Sequence, residues 1–367
     1  MTIIVSGQNE HYQLLVESNS KNENNIPCVC PPLPINSLDW HNFRSFSIGQ
    51  FHTVIVTNEG ELLCIGDNNK YQIGSNERKL YDKVTKFSLS GYEDRKFKLA
   101  QCGKNYTLYL TEGNNDMKEE VLICCNKSPN FKPIKFNYGE NNIKILKTGK
   151  TRVGIVDDKD NLYLIEKKEI DIAENEGENI ISIDAKRINH PIKNGINDIC
   201  ICETFICILS EDGIVYGNEE MNKNRKNFVQ ISFPPQSHSK IAKIVGTHFH
   251  CIAITEDKNA YVFSYNGSGQ LGLGHKEDTN KFVEISFFIQ NKIKIIDAAT
   301  SGFHSLFLSD DQKIFSCGNN FNGQLLKNNL EEKEDNLIPQ EISFHDIKFT
   351  KVHSLLCSEW GSAIFVE

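Results

Sequence analysis

The apolar positions of this chain come in short runs and never in long stripes. Val54-Ile55-Val56, Leu108-Tyr109-Leu110, Gly154-Ile155-Val156, Cys207-Ile208-Leu209, Ile252-Ala253-Ile254, Leu306-Phe307-Leu308 and Ala363-Ile364-Phe365 are each bounded by polar residues. Runs this short, rich in β-branched and aromatic side chains and closed by Gly, Asn or Asp, predict strands. After the first six runs comes a polar turn, such as Thr57-Asn58-Glu59-Gly60 or Ser210-Glu211-Asp212-Gly213. A second apolar run then follows: 61–65, 121–124, 162–165, 214–216, 261–263 and 314–316. Each unit therefore reads as a hairpin inside a larger antiparallel sheet.

One residue opens each unit, as in Gly49-Gln50-Phe51-His52-Thr53. These anchors are His52, Tyr106, Arg152, Phe205, His250, His304 and Trp360, spaced by 54, 46, 53, 45, 54 and 56 residues. A period near 50 residues built from several short strands predicts a β-propeller. Tryptophan-aspartate repeats run shorter, at roughly 40–45 residues, and the chain has no Trp-Asp dipeptide; it also lacks the double glycine associated with kelch repeats.

A second pattern follows the hairpin in four units: Gly7-Gln8-Asn9-Glu10-His11-Tyr12-Gln13-Leu14, Gly66 to Ile73 with Asn68 and Gln72, Ser264 to Leu271 with Asn266 and Gln270, and Gly318 to Leu325 with Asn320 and Gln324. Gly and Asn tolerate positive φ, and an Asn side chain can bond its own backbone. The pattern predicts a reverse turn followed by a short edge strand, with Gln reaching backbone groups that the turn leaves unpaired. The chain starts with a turn motif that lacks an anchor and ends with an anchor that lacks a turn motif. Together they make one unit, so a ring closed by strands from both ends is expected. It removes exposed sheet edges. This gives an all-β, seven-bladed propeller of four-stranded blades as a single domain over 1–367. Its blades are expected at about 347–367 plus 1–18, 43–92, 96–138, 143–186, 196–234, 241–289 and 293–345.

These residues resemble the regulator-of-chromosome-condensation repeat family, whose blades run Gly-x-x-His-Thr, an apolar strand, a glycine turn, then Gly-x-Asn-x-x-Gly-Gln-Leu-Gly. Ser301 to Leu325 and His250 to Gly274 match best, with Gly49 to Gly74 close behind. Blades within about 96–235 keep the anchor strands, but Cys125-Asn126-Lys127-Ser128-Pro129 and Gly217-Asn218-Glu219-Glu220-Met221 replace the Asn/Gln turn. The resemblance implies one of two roles: a protein-interaction platform, or a nucleotide-exchange factor for a Ran-type small GTPase. In the exchange factors, acidic side chains and a histidine just before the anchors disturb the GTPase. Those positions here hold Gln50, Lys104, Lys150, Glu203, His248 and Glu359, with no aspartate. No protruding wedge or basic chromatin tail is found. The expectation is a scaffold first, with those six residues as the candidate partner face, and an exchange factor as the alternative.

The charge balance changes the list of partners. The chain has 367 residues and a formal net charge of −8, which argues against gripping nucleic acid phosphates directly and leaves a basic protein partner open. No apolar segment is long enough to span a membrane, and no signal peptide precedes Gly7, so a monomeric cytoplasmic or nuclear protein is expected, with its twelve cysteines reduced.

Candidate chemistry adds little. His248-x-His250 has a spacing that can hold zinc, but His250 is an anchor. Cys28-x-Cys30 and Cys124-Cys125 lack zinc or redox spacing, and Cys200 and Cys202 fit packing on one face. Pro31-Pro32-Leu33-Pro34 fits a sheet edge better than a displayed polyproline turn. The acidic runs 166–178 and 331–335 read as solvated loops. No phosphate loop, nucleophile elbow or His-Glu-x-x-His is present. No cofactor, metal or bond-making activity is expected.

Overall fold

The computed structural model describes residues 2–17, 19–21, 27–35, 40–113, 117–125, 133–166, 182–218, 227–234, 239–327, 335–344 and 347–367. The chain divides into two compact units, one of Met1–Gln8, Ser18–Asn36 and Asn189–Glu367, the other of Asn9–Glu17 and Ser37–Ile188. Both consist of antiparallel meanders. The second unit has three: Phe43–Ile48, His52–Thr57, Leu62–Asp67 and Leu80–Phe87; then Phe97–Cys102, Thr107–Thr111, Val121–Cys124 and Ile134–Asn137; then Ile143–Thr148, Val153–Asp157, Leu162–Ile165 and Lys186–Ile188. Ser182–Asp184 pairs in parallel with Ile134–Asn137. The expected edge at 186 thus falls within a crossover, where 182–184 extend one sheet and 186–188 complete the next.

The first unit is built the same way. Ile295–Thr300, His304–Ser309, Ile314–Gly318 and Asn336–Glu341 form one meander. Ile196–Cys202, Ile206–Ser210, Val215–Gly217 and Val229–Gln230 join Ile241–His248, His250–Thr255, Ala260–Ser264 and Thr279–Glu284 in one eight-stranded sheet. The join is a parallel pair, Ile201 with Thr247 and Cys202 with His248. In the last sheet Val352–Cys357 and Gly361–Val366 continue into Thr2–Gln8 and Pro27–Ile35, so strands from both chain ends share one sheet, as the split repeat predicts. Pro32 and Pro34 lie in its fourth strand, where a missing donor is tolerated. The stretches 126–129, 219–221, 167–178 and 331–334 lie outside the described residues.

Second strands are buried along their whole length: His52–Thr57, His250–Thr255, His304–Ser309 and Gly361–Val366 show no exposed residue. A strand covered on both faces reads as a continuous apolar run, which is why those runs were visible in the sequence. The cores form between facing sheets. Ile252, Val262 and Leu271 pack with Ile295, Phe307 and Phe315, and the short helix Ser286–Gln290 adds Phe288, edge-on to Phe307 and Phe315 at 5.1 and 5.5 Å. Each such buried side chain contributes about 1.5–3 kcal/mol. Every first strand carries a one-residue register shift at its start, as between Phe43 and Ser45 or Ile295 and Asp297. Such bulges bend a strand and strengthen its twist.

Candidate interaction face

The turn motif is held by its own Asn and Gln. The Asn Oδ1 accepts the N–H five residues on in all four copies: Leu14 to Asn9, Ile73 to Asn68 and Leu271 to Asn266 at 2.9 Å, and Leu325 to Asn320 at 3.0 Å. This spans the loop, beyond the local Asn turn expected. The Asn amide reaches further, Asn68 to the carbonyls of Ser75 and Glu77, Asn266 to those of His275 and Glu277. The Gln Oε1 accepts the N–H two residues before it, from His11, Lys70, Ser268 and Asn322. The Gln13 amide donates to Gln50 O at 3.0 Å and Gln270 to Gly302 O at 3.2 Å, the unpaired backbone acceptors expected. Gln72 and Gln324 are diverted to Asp67 and Asn319, acceptors in the second motif position. The motif's final Leu or Ile does not begin a strand. Leu14, Ile73, Leu271 and Leu325 are fully buried plugs, and the fourth strand starts later, at Leu80 or Asn336.

The anchors seal one sheet to the next. His52, His250 and His304 are fully buried. Their Nε2 atoms meet Thr107 Oγ1 at 2.7 Å, Ser305 Oγ at 2.7 Å and Ser362 Oγ at 2.8 Å. Ser305 and Ser362 donate their own protons to the Gln270 and Gln324 carbonyls, each at 2.7 Å. A hydroxyl has one proton to give, so His250 and His304 are the donors, each protonated on Nε2. In His304, Nδ1 then accepts from Ser301 Oγ at 2.7 Å. Burial disfavours the imidazolium and lowers His52 to about 4 and His250 and His304 to about 3. The other anchors solve the position differently. Tyr106 donates to Gly149 O at 3.0 Å, Arg152 pairs with Glu166 at 2.8 Å, and Phe205 packs edge-on to Phe263.

The last anchor is displaced by one residue. Gly361, not Trp360, pairs with Gly7 as His52 pairs with Gly66 and His304 with Gly318. Trp360 occupies the position of Phe51 and Phe303, where an aromatic precedes the anchor. The glycine facing the anchor is needed at Gly66 and Gly318, with φ of 105° and 104°. A Cβ there would come within 2.5 Å of Phe51 O and 2.3 Å of Phe303 O.

The loops before the anchors carry the predicted face. In the second unit Lys104 is exposed and Gln50 and Lys150 are half-buried. In the first unit Glu203 and His248 are half-buried and brought together, the Glu203 N–H donating to His248 O at 2.5 Å. Glu359 is buried at 7% exposure, so it is not a solvated loop residue. His248 adopts φ of 57°, a left-handed conformation uncommon outside glycine. Its neighbour His250 is committed to Ser305, so the pair is explained structurally.

What sequence reading missed is the aromatic before the anchor. Phe249 meets Tyr265 at 5.7 Å and Phe303 at 5.9 Å, and Phe303 stacks on Trp360 at 4.8 Å and 19°. Tyr265 is exposed at 38%, and the other three are half-buried. The signal was present as an aromatic in the same place in four units.

Comparison with known proteins agrees with this architecture. The family described as Regulator of chromosome condensation (RCC1) repeat matches residues 43–72 and 295–324. The human X-linked retinitis pigmentosa GTPase regulator is 36% identical over 95 residues, covering 26% of this chain and 9% of that protein. The Arabidopsis thaliana ultraviolet-B receptor UVR8 is 22% identical over 294 residues, covering 80% and 57%. The chain thus matches less than two thirds of the length of either. Among solved structures, human WBSCR16 superposes with a TM-score of 0.76 at 15% identity over 100% of this chain and 98% of that one. Prp20p of Saccharomyces cerevisiae does so with 0.74 at 15% over 99% and 90%. The chain carries repeats of the regulator of chromosome condensation type at 43–72 and 295–324, and its fold is an all-β propeller.

Proposed function

We propose that this chain is a protein-binding propeller whose anchor loops form the partner face. The observation that carries this reading is the contrast between the two sides of each loop. Underneath, buried Asn, Gln, His and hydroxyl groups bond the turns and anchors to one another, and these bonds fix the loops. Of their atoms, His52 Nδ1, His250 Nδ1 and Asn320 Nδ2 are left unpartnered among the described residues. Above, half-exposed aromatic and charged side chains are presented on that rigid base, as binding loops commonly are. We read the eight-stranded sheet as two four-stranded blades, which gives seven blades in one domain over 1–367. The recurrence of one first-strand bulge in seven described strands supports that count. The chain acts by recognition, as a monomer in cytoplasm or nucleus, and uses no cofactor or metal.

Exchange on a Ran-type small GTPase is the second reading, favoured by the adjacency of Glu203 and His248 and by the likeness to Prp20p, a protein described by its binding to Gsp1p and histones. The test is release of a fluorescent guanine nucleotide from such a GTPase. The scaffold reading expects no acceleration by folded protein. Acceleration that is lost in Glu203→Ala and His248→Ala would replace it with exchange. The scaffold reading itself is abandoned if a photo-crosslinking amino acid at Phe303 captures no protein from an extract of the native cells.

A further inference from the structure

One turn and one anchor loop of the second unit gather positive charge. Of the four turn motifs, only Gly66 to Ile73 contains a Lys or Arg; 7–14, 264–271 and 318–325 contain none. Its Lys70 is exposed and reaches the next anchor loop, donating from Nζ to Asn105 Oδ1 at 3.3 Å. Gln13 and Gln270 cross to the next loop with an amide, but Gln72 is turned back to Asp67, and Lys70 makes the crossing instead. Lys104, beside Asn105 in that loop, is exposed. Exposed Arg78 donates from Nε to Asn69 O at 2.8 Å, which holds its guanidinium against the backbone that precedes Lys70. None of the three cations has a carboxylate partner among the described residues. The turn's own carboxylates are taken. Asp67 is buried at 9% exposure and accepts from Asn69 and Gln72, and Glu77 is paired with Lys79. An arginine fork matches a carboxylate, and bonds between charged partners are the stronger ones. The formal charge of −8 on the whole chain opposes a long polyanion such as nucleic acid, whose binding grows with the number of phosphates neutralised. Three cations on one turn and one loop match a short run of carboxylates.

We propose that Lys70, Arg78 and Lys104 form a docking patch for an acidic segment of a partner protein. This rests on the protein-binding reading, which puts Lys104 on the partner face, and adds the partner's chemistry. The test is fluorescence anisotropy with the full chain. The probes are a labelled alternating Glu-Gly octapeptide, its neutral Gln-Gly counterpart and a single-stranded oligonucleotide of the same charge as Glu-Gly. Glu-Gly is expected to bind, more weakly as salt rises from about 0.05 to 0.15 M and the charges are screened, and Gln-Gly not to bind. Lys70→Gln, Arg78→Gln and Lys104→Gln together should weaken Glu-Gly binding about tenfold, from roughly two- to threefold for each exposed ion pair. The same change of charge at exposed lysines on other elements, Lys96→Gln, Lys193→Gln and Lys281→Gln together, should weaken it by about twofold or less. Circular dichroism checks that each variant is folded; if the triple variant of the patch is not, Lys70→Gln and Lys104→Gln are read singly. Equal binding of Glu-Gly and Gln-Gly, an equal loss in the two triple variants, or tighter binding of the oligonucleotide than of Glu-Gly overturns the proposal. A protein crosslinked at Phe303 by a chain that ignores Glu-Gly overturns this proposal and keeps the broader reading.

Discussion

Mild acid isolates the buried anchor histidines. His52, His250 and His304 are neutral in the folded chain, held down chiefly by burial, with Asp67 opposing the shift at His52 and His248 adding to it at the other two. In the unfolded chain each titrates near 6.5. The folded pKa is depressed, so between about 6.5 and 3 the unfolded state binds more protons and stability falls as pH falls. Above 6.5 the contribution is fully present. At pH 5 the loss per histidine is RT ln(1 + 10^1.5), about 2 kcal/mol, and the three together lose about 6 kcal/mol. Carboxylates contribute little between pH 7.5 and 5.0, because their unfolded pKa values of about 3.9–4.3 lie below that range. Total stabilities are commonly about 5–15 kcal/mol, so the effect is large. Urea unfolding followed by circular dichroism at pH 7.5 and 5.0 measures it. His304→Gln keeps an amide donor for Ser362 and removes one titrating ring, so its loss between the two pH values should shrink by about 2 kcal/mol. A variant that loses as much as the parent chain would refute the reasoning, because the acid sensitivity would then come from groups other than these rings.

Three further outcomes follow from the motif geometry. Asn266→Ala removes the acceptor for Leu271 N–H and the donor for two carbonyls in a fully buried site; at about 1–3 kcal/mol for each group left unsatisfied, it should cost at least about 3 kcal/mol in a thermal or urea transition. Ser264 sits at φ 88° where the other three motifs have glycine, so Ser264→Gly should stabilise the chain by about 0.5–1 kcal/mol, the relief of left-handed strain less the entropy of a glycine. Gly66→Ala should do the opposite by more than about 2 kcal/mol, since its Cβ would strike Phe51 O and His52 Cα at 2.5 and 2.6 Å, and equal effects of the two substitutions would disprove the assignment of the turn.

Much of the fold was legible because second strands lie between sheets, where both faces are apolar and the run is unbroken, as in Val54 to Val56. The Asn and Gln of the turn were legible because a bond five residues on and another two residues back require fixed spacing. The edge strand expected after the turn is present but starts later, at Leu80, Thr279 or Asn336, because the motif ends on a buried plug such as Leu271, which looks like a strand residue in sequence. Trp360 was placed at the anchor because a large aromatic there resembles Tyr106 and Phe205, and only the pairing of Gly361 with Gly7 reveals the offset. The parallel pairing of Ser182–Asp184 and the first-strand bulges depend on tertiary contacts and leave no local signature. In the candidate face, the repeat spacing alone places Glu203 and His248 just before anchors. Their contact and the ring contacts of Phe303 with Phe249 and Trp360 bring together residues about 45–57 positions apart in the chain, a separation that carries no local signal.

The central claim is that the anchor loops are the face that binds protein. A photo-crosslinking amino acid placed at Phe303 tests it against the same group at Asp311, in the turn at the other end of the same strand. After irradiation in an extract of the native cells, the account predicts a discrete protein adduct at position 303 and none at 311. An adduct at 311 without one at 303, or no adduct from either, would contradict it.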